Sequence, residues 1–157
     1  ILVMKEGRKQ QEGGPEEVYN EPVNHFVADF LGHSNFISGE VLEGDDDYVD
    51  VMIETGDYLR AVNRGTFNKG DLVELVVRAQ RFDVFRPEEF SPEENPNYFQ
   101  GRIVDRSYMG GEVSYFVRLK NDREIHVISM MRTRIYDIGD EVCVQVSPHH
   151  CHLIPKE

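Results

Sequence analysis

From Asn35 to Glu157 no stretch sustains the 3.6-residue period of a helix; the chain runs in short alternating segments broken by turn residues. This rhythm predicts strands at residues 36–42, 48–54, 58–63, 72–77 and 81–85, then at 98–105, 112–119, 123–129, 141–147 and 150–154. Gly56-Asp57 and Asn121-Asp122 mark turns between them. Short strands at this spacing build a sandwich or a barrel. The pattern also occurs twice. Lys69-Gly70-Asp71 before one alternating strand matches Ile138-Gly139-Asp140 before another. Phe36-x-x-Gly39-x-Val41 resembles Phe99-x-Gly101-x-Ile103, and residues 49–62 match 115–128 as a hairpin. Two repeats, about 36–85 and 98–154, would close one barrel by burying each other's apolar faces.

The first 34 residues read differently. Residues 1–5 and 8–11 are strand-like, with a turn at Glu6-Gly7. The run Ile1-Leu2-Val3-Met4 predicts a strand buried on both faces, as inside a larger sheet, with coding sequence continuing upstream. Pro15 suits the first position of a helix, Gly14 its cap, and Glu16 and Glu17 its positive end. Pro22 opens a second predicted helix, in which Phe26, Val27, Phe30 and Leu31 share one face and Gly32 is the stop. The expected division is therefore a short α/β remnant with one or two helices at 1–34 and a β-barrel at 35–157.

Charge narrows the function classes. The formal net charge is -12: residues 1–100 hold 9 basic and 21 acidic side chains, and residues 101–157 hold 8 of each. Such a surface repels phosphate backbones, so no nucleic-acid partner is expected. Cys143 and Cys151 form no CxxC pair, which argues against a disulfide framework. No apolar run is long enough to span a bilayer.

Four constellations carry chemistry. His149-His150-Cys151-His152 offers metal-ligand types. A strand there would place His150 and His152 on one face and His149 and Cys151 on the other, so no metal site is expected. Asp45-Asp46-Asp47 with Asp50 lacks the glycine and glutamate spacing of a calcium loop and reads as a hairpin turn. Arg78, Arg81, Arg86, Arg102 and Arg106 form either a basic spot or a set of cross-strand partners for carboxylates. Ser107, Tyr108, Gly110 and Gly111 form a loop whose backbone N–H groups would suit an anion.

The amino-terminal residues carry a family resemblance. Gly7, Gln11, Gly13, Pro15, Tyr19, Pro22, Phe26, Phe30, Gly32 and Asn35 occur in an order that resembles the end of the nucleotide-binding domain of ABC-importer ATPases, in the branch with polyamine, iron and sugar importers. The resemblance implies that a TOBE domain follows, an OB/MOP-like β-barrel related to molybdate-binding barrels. Tyr108-x-Gly110 before Tyr115-x-Val117 is similar to a pattern in that barrel's second half. Gly14 departs from the family's Thr or Ser, and Val77-Arg78-Ala79-Gln80 from its Arg-Pro-Glu turn.

The resemblance further implies a regulatory and dimerising domain on an ATP-binding subunit, paired with a second copy and with permease subunits, peripheral on the cytoplasmic face of the membrane. A small-molecule regulator is a further expected partner. ATP and Mg2+ would belong to the parent chain, because no GxxxxGK[ST] loop occurs here. No catalytic residue, cofactor or metal is therefore expected in this chain. Two alternatives stay open: a free barrel binding small oxyanions such as molybdate, and an oligonucleotide-binding barrel.

Overall fold

The computed structural model describes residues 1–65, 67–91, 97–130 and 134–157. Part of the Pro- and Glu-rich loop before the second repeat, residues 92–96, lies outside them. The chain opens with a hairpin of β1 (Leu2–Lys5) and β2 (Arg8–Glu12), followed by α1 (Pro15–Asn20) and α2 (His25–Phe30). The hairpin turn holds Glu6 at φ 50° and Gly7 at φ 75°, a conformation that glycine adopts without strain. The apolar opening run is buried on one face only. Val3 is buried with Val18 and Val27, whereas Ile1, Leu2 and Met4 are about half exposed, because β1 pairs with β2 alone.

Helix α1 starts as expected, with Pro15 in its first turn and Glu17 accepting a hydrogen bond from the Gly14 N–H at 3.4 Å. Helix α2 starts later than expected. Asn24 is its cap, with Oδ1 accepting from Val27 N at 3.0 Å, and Pro22 lies in the connection before it. The buried Gln11 shapes that connection: its side chain donates to Glu21 O and accepts from Val23 N, each at 3.0 Å.

The remaining chain is mainly β, with the OB/MOP-like character expected. It forms two five-stranded antiparallel sheets. Repeat one supplies β3 (Ser34–Gly44), β4 (Tyr48–Ile53), β5 (Tyr58–Val62), β6 (Leu72–Arg78) and β7 (Asp83–Phe85). Repeat two supplies β8 (Tyr98–Met109), β9 (Glu112–Arg118), β10 (Glu124–Met130), β11 (Glu141–Gln145) and β12 (His152–Pro155). The strand orders are β12-β6-β3-β4-β5 and β10-β9-β8-β11-β7. Each repeat thus gives its last strand to the other's sheet. A 3-10 turn at Ala79–Arg81 carries the chain across after β6, and another at Pro148–His150 does so after β11. One core joins the inner faces, with Ile37, Val51 and Leu75 on one side and Ile103, Val117 and Val144 on the other.

The repeats match atom for atom at two places. Gly70 (φ 90°) and Gly139 (φ 96°) donate to Val41 O and Ile103 O, each at 2.8 Å. Asp71 O and Asp140 O then accept from the N–H of the same two residues, at 2.9 and 3.0 Å. Both long strands bulge just there, between Val41 and Glu43 and between Ile103 and Asp105. Gly39 and Gly101 are the second pair. A Cβ on Gly39 would lie 2.6 Å from Val51 Cγ1 and 2.9 Å from Met52 O; on Gly101 it would lie 2.6 Å from Val117 Cγ1 and 2.8 Å from Arg118 O. Neither glycine has positive φ, so alanine meets no backbone strain and would otherwise gain a few tenths of a kcal/mol from lost unfolded-state freedom. The overlap with a fixed carbonyl outweighs that gain. Gly39→Ala is expected to lower stability by about 1–3 kcal/mol, read from the urea midpoint, and Gly101→Ala by a similar amount.

Two buried asparagines close the body where the backbone ladders end. Asn35, at the start of β3, accepts from His126 N (2.7 Å) and donates to His126 O (2.8 Å), on edge strand β10 of the other sheet. Asn97, just before β8, accepts from Arg60 N (2.7 Å) and donates to Arg60 O (2.6 Å), on edge strand β5. A side-chain amide has the donor and acceptor of a peptide group, so each asparagine stands in for one more rung between the sheets.

Candidate functional site

Strand β6 is buried on both faces near its end. Val73, Leu75 and Val77 face the core, while Val76 packs outward with Ala28 of α2 and with Ile154. The strand finishes on Arg78, whose side chain therefore emerges beneath the helices. Its Nη1 donates to Ala28 O (2.6 Å) and Ser34 Oγ (2.5 Å), its Nη2 donates to Tyr19 O (2.7 Å), and the guanidinium lies 4.3 Å over the Tyr19 ring. Two of these acceptors are last-turn carbonyls of α1 and α2, the negative ends of those helices. Burial pulls the Arg78 pKa down, yet an arginine remains protonated and acts as a fixed cation. Gly32 leaves room for this stack: a Cβ there would already touch the Tyr19 ring at 3.6 Å.

Beside Arg78 lies a cleft of about 320 Å³ between α1 with its following loop and the barrel. Tyr19, Glu21 and Pro22 line it from the helical side, and Arg64, Arg81, His149, His150 and His152 from the barrel. His152 Nε2 lies 2.9 Å from Pro22 O; a carbonyl only accepts, so the ring proton sits on Nε2. Its Nδ1 is buried without a partner among the described residues. Burial lowers the His152 pKa, and the Arg64 cation adds to that. His150 is lowered by burial first, then by Arg81 and His149. Both shifts favour the neutral ring of His150 and His152, which sit near guanidinium groups.

The histidine run is not a strand as far as Cys151. Ser147 Oγ accepts from His149 N at 3.3 Å, and Pro148–His150 form the 3-10 turn, with β12 starting only at His152. The strict two-face alternation expected for 150–154 fails because the chain is crossing between sheets there. The turn gathers all three histidines at the cleft and sends Cys151 inward. Cys151 is buried beside Asn97, 3.6 Å from its Nδ2, and burial pushes its thiol up to about 12. No group of three or more metal-ligating side chains converges among the described residues.

The five arginines separate. Arg78 and Arg81 line the cleft. Arg102 pairs across strands with Glu141 (3.2 Å), and Arg106 pairs with Asp137 (2.8 Å) in the segment before β11. Arg86 lies elsewhere, in a shallow depression with Tyr136 and Asp140. Ser107 and Tyr108 sit on β8, and Gly110 (φ 65°) and Gly111 form its hairpin turn into β9. Tyr108 is exposed there, with Arg106 5.5 Å over its ring. Asp45 Oδ1 accepts from Asp47 N and Tyr48 N, both at 2.8 Å, and these bonds hold its carboxyl below the usual range. Asp50 pairs with Arg60 at 2.9 Å.

Three junction residues, Tyr19, Pro22 and Gly32, lie between the helices and the barrel, and Asn35 joins the two sheets. Tyr19, Pro22, Gly32 and Asn35 make the contacts described above. Phe26 packs half-buried against the Val3–Val18–Val27 cluster, with Lys5 4.9 Å over its ring. Phe30 is 66% exposed and contacts Phe26 at a centroid distance of 5.8 Å. Gly13 has Glu17 against it: a Cβ there would lie 2.7 Å from Glu17 Oε2. The sequence pattern did not single out Arg64 or Asn97. Their signal is positional, since each follows or precedes a predicted strand by one or two residues.

Comparison with known proteins places this geometry. Residues 83–154, from β7 to β12, match the TOBE domain family. The spermidine/putrescine import ATP-binding protein PotA of Thermotoga maritima is 36% identical over 159 residues, covering 98% of this chain and 43% of its own length. PotA of Clostridioides difficile is 31% identical over 157 residues, covering 100% of this chain and 40% of its own length. PotA of Trichormus variabilis is 34% identical over 128 residues, covering 82% and 33%. The chain thus spans roughly a third to two fifths of the length of these curated relatives. Among solved structures, the cytoplasmic molybdate-binding protein ModG with molybdate bound matches at a TM-score of 0.69 and 19% identity, over 77% of this chain and 96% of that one. At that identity the likeness is one of fold.

Proposed function

From a chain that corresponds to the TOBE-bearing carboxy-terminal region of an ABC-importer ATP-binding subunit, we propose that this molecule is the subunit's non-catalytic accessory domain. The observation that supports it best is the pairing of near-complete coverage here with about two fifths coverage of the relatives. The parent subunit then couples ATP hydrolysis to solute import, and the relatives' names favour polyamines as the solute. ATP and Mg2+ do not fit the residues of this chain. It has no phosphate-cradling GxxxxGK[ST] loop, and catalysis of phosphoryl transfer rests on such positioned groups.

The accessory role is to stabilise or modulate a pair of ATP-binding subunits, with a second copy and permease subunits as partners. The sites named for the resemblance, from Gly7 to Asn35, serve the mounting of the barrel on the preceding domain. No described helix is long and apolar enough to cross a membrane. The proposed location is peripheral, on the cytoplasmic face, through the other subunits. The direct test is phosphate release from Mg-ATP by the purified chain. The expected rate equals the protein-free blank; turnover above it that survives repurification would overturn the reading.

A further inference from the structure

The cleft beside Arg78 is lined by three arginines, Arg64, Arg78 and Arg81, against two carboxylates, Glu16 and Glu21, a positive excess in a protein whose acidic groups outnumber its basic ones by 29 to 17. Arg78 donates to two carbonyl oxygens and one hydroxyl oxygen. Arg64 faces Glu21 at 3.5 Å, at partly exposed positions where such a pair is worth little. Arg81 is exposed and has no carboxylate within ion-pair distance among the described residues, and its charge bears on His150 instead. His149 and His150 are exposed on the 3-10 turn next to it, supplying ring N–H donors. Arg81 therefore adds a positive charge to the cleft with no carboxylate at ion-pair distance among the described residues, and a bound anion would supply that counter-charge. A cleft of about 320 Å³ is at the small end of ligand sites. Guanidinium forks match the tetrahedral oxygens of a phosphate group better than they match water.

We propose that this cleft binds a small phosphate-bearing dianion through Arg81, Arg64, His149 and His150. The bound group would bridge the loop after α1 and the barrel, because Glu21 and Pro22 form one wall and the histidine turn the other. It would thereby tighten the same junction that Arg78 holds. The site is a property of this chain and stands whether or not the accessory reading holds; it asks for binding without turnover, so the hydrolysis test does not decide it.

The test is calorimetric titration of the intact chain with inorganic phosphate at constant ionic strength, with a phosphate monoester, glycerol phosphate, as a second arm. The expected result is saturable one-site binding at submillimolar phosphate. Arg81→Gln weakens it by about tenfold or more, the scale of one lost charge-assisted contact. Arg102→Gln, on the surface pair with Glu141, leaves it unchanged. Arg81 is exposed, and an unaltered circular dichroism melt confirms that its variant folds. Tighter binding of the ester identifies a phosphorylated metabolite as the ligand, and equal or weaker binding identifies phosphate itself. Absence of saturation at millimolar concentrations of both probes overturns the proposal, as does equal weakening by the Arg81 and Arg102 variants.

Discussion

Asn97→Leu is expected to destabilise the protein by about 2–4 kcal/mol, as a lower urea midpoint at an unchanged slope. The side chain is 0% exposed and makes hydrogen bonds of 2.7 and 2.6 Å to the N–H and C=O of Arg60. Leucine keeps the branched shape and is bulkier, so the change removes the polar contacts without opening a cavity. What remains is an unpaired backbone donor and acceptor on β5, each of which loses most of its value when left without a partner. Asn97→Asp separates the two halves of the effect. Its carboxylate can still accept from Arg60 N, but it would face Arg60 O with no proton to donate, so it is expected to be at least as damaging at pH 7. Asn35→Leu should act alike at His126 on β10. If either leucine variant melted with the wild type, the asparagine rungs would not be what closes the two sheets.

Arg78→Met is expected to have a different signature, a loss of about 3 kcal/mol concentrated in the helices. Methionine keeps much of the stem but leaves Tyr19 O and Ala28 O without their charged donor and removes the stack on Tyr19. Inner-face core residues such as Leu75 and Ile103 do not touch those acceptors, so the sheets should hold. Amide exchange measures this directly. Residues 15–30 are expected to lose protection while β3, β4, β8 and β9 keep theirs. Arg78→Lys should fall between, since an ammonium keeps the charge but cannot fork to two helices at once. Uniform loss of protection across sheets and helices would contradict the separation of roles.

Much of the β architecture was legible because strand periodicity is local. Alternation at 48–54 or 112–119 needs no knowledge of partners, and Gly-Asp before 72 and before 141 carries its own turn chemistry. The exchange of β7 and β12 was not legible, because a short alternating strand looks the same in either sheet. The two asparagines were hidden by the unequal spacing of the matched residues, since Phe36 stands three positions before Gly39 and Phe99 two before Gly101. Matching Phe36 with Phe99 leaves Asn35 without a counterpart. Matching Gly39 with Gly101, which the close contacts to Val51 and Val117 require, places Asn35 on Asn97. The histidine turn was misread as strand, although Ser147-Pro148 is a capping pair ahead of a turn. The cleft drew on residues as far apart as Tyr19, Arg81 and His150, and no spacing rule joins those.

The accessory role is tested most directly in the proposed parent subunit with the barrel removed after residue 33. Its Mg-ATP binding, measured per folded molecule, is expected to match that of the intact subunit, while pairing of the two copies, or the response of hydrolysis to regulators, weakens. Loss of Mg-ATP binding in a subunit that still folds would contradict it, because the residues that hold the nucleotide would then lie in the barrel.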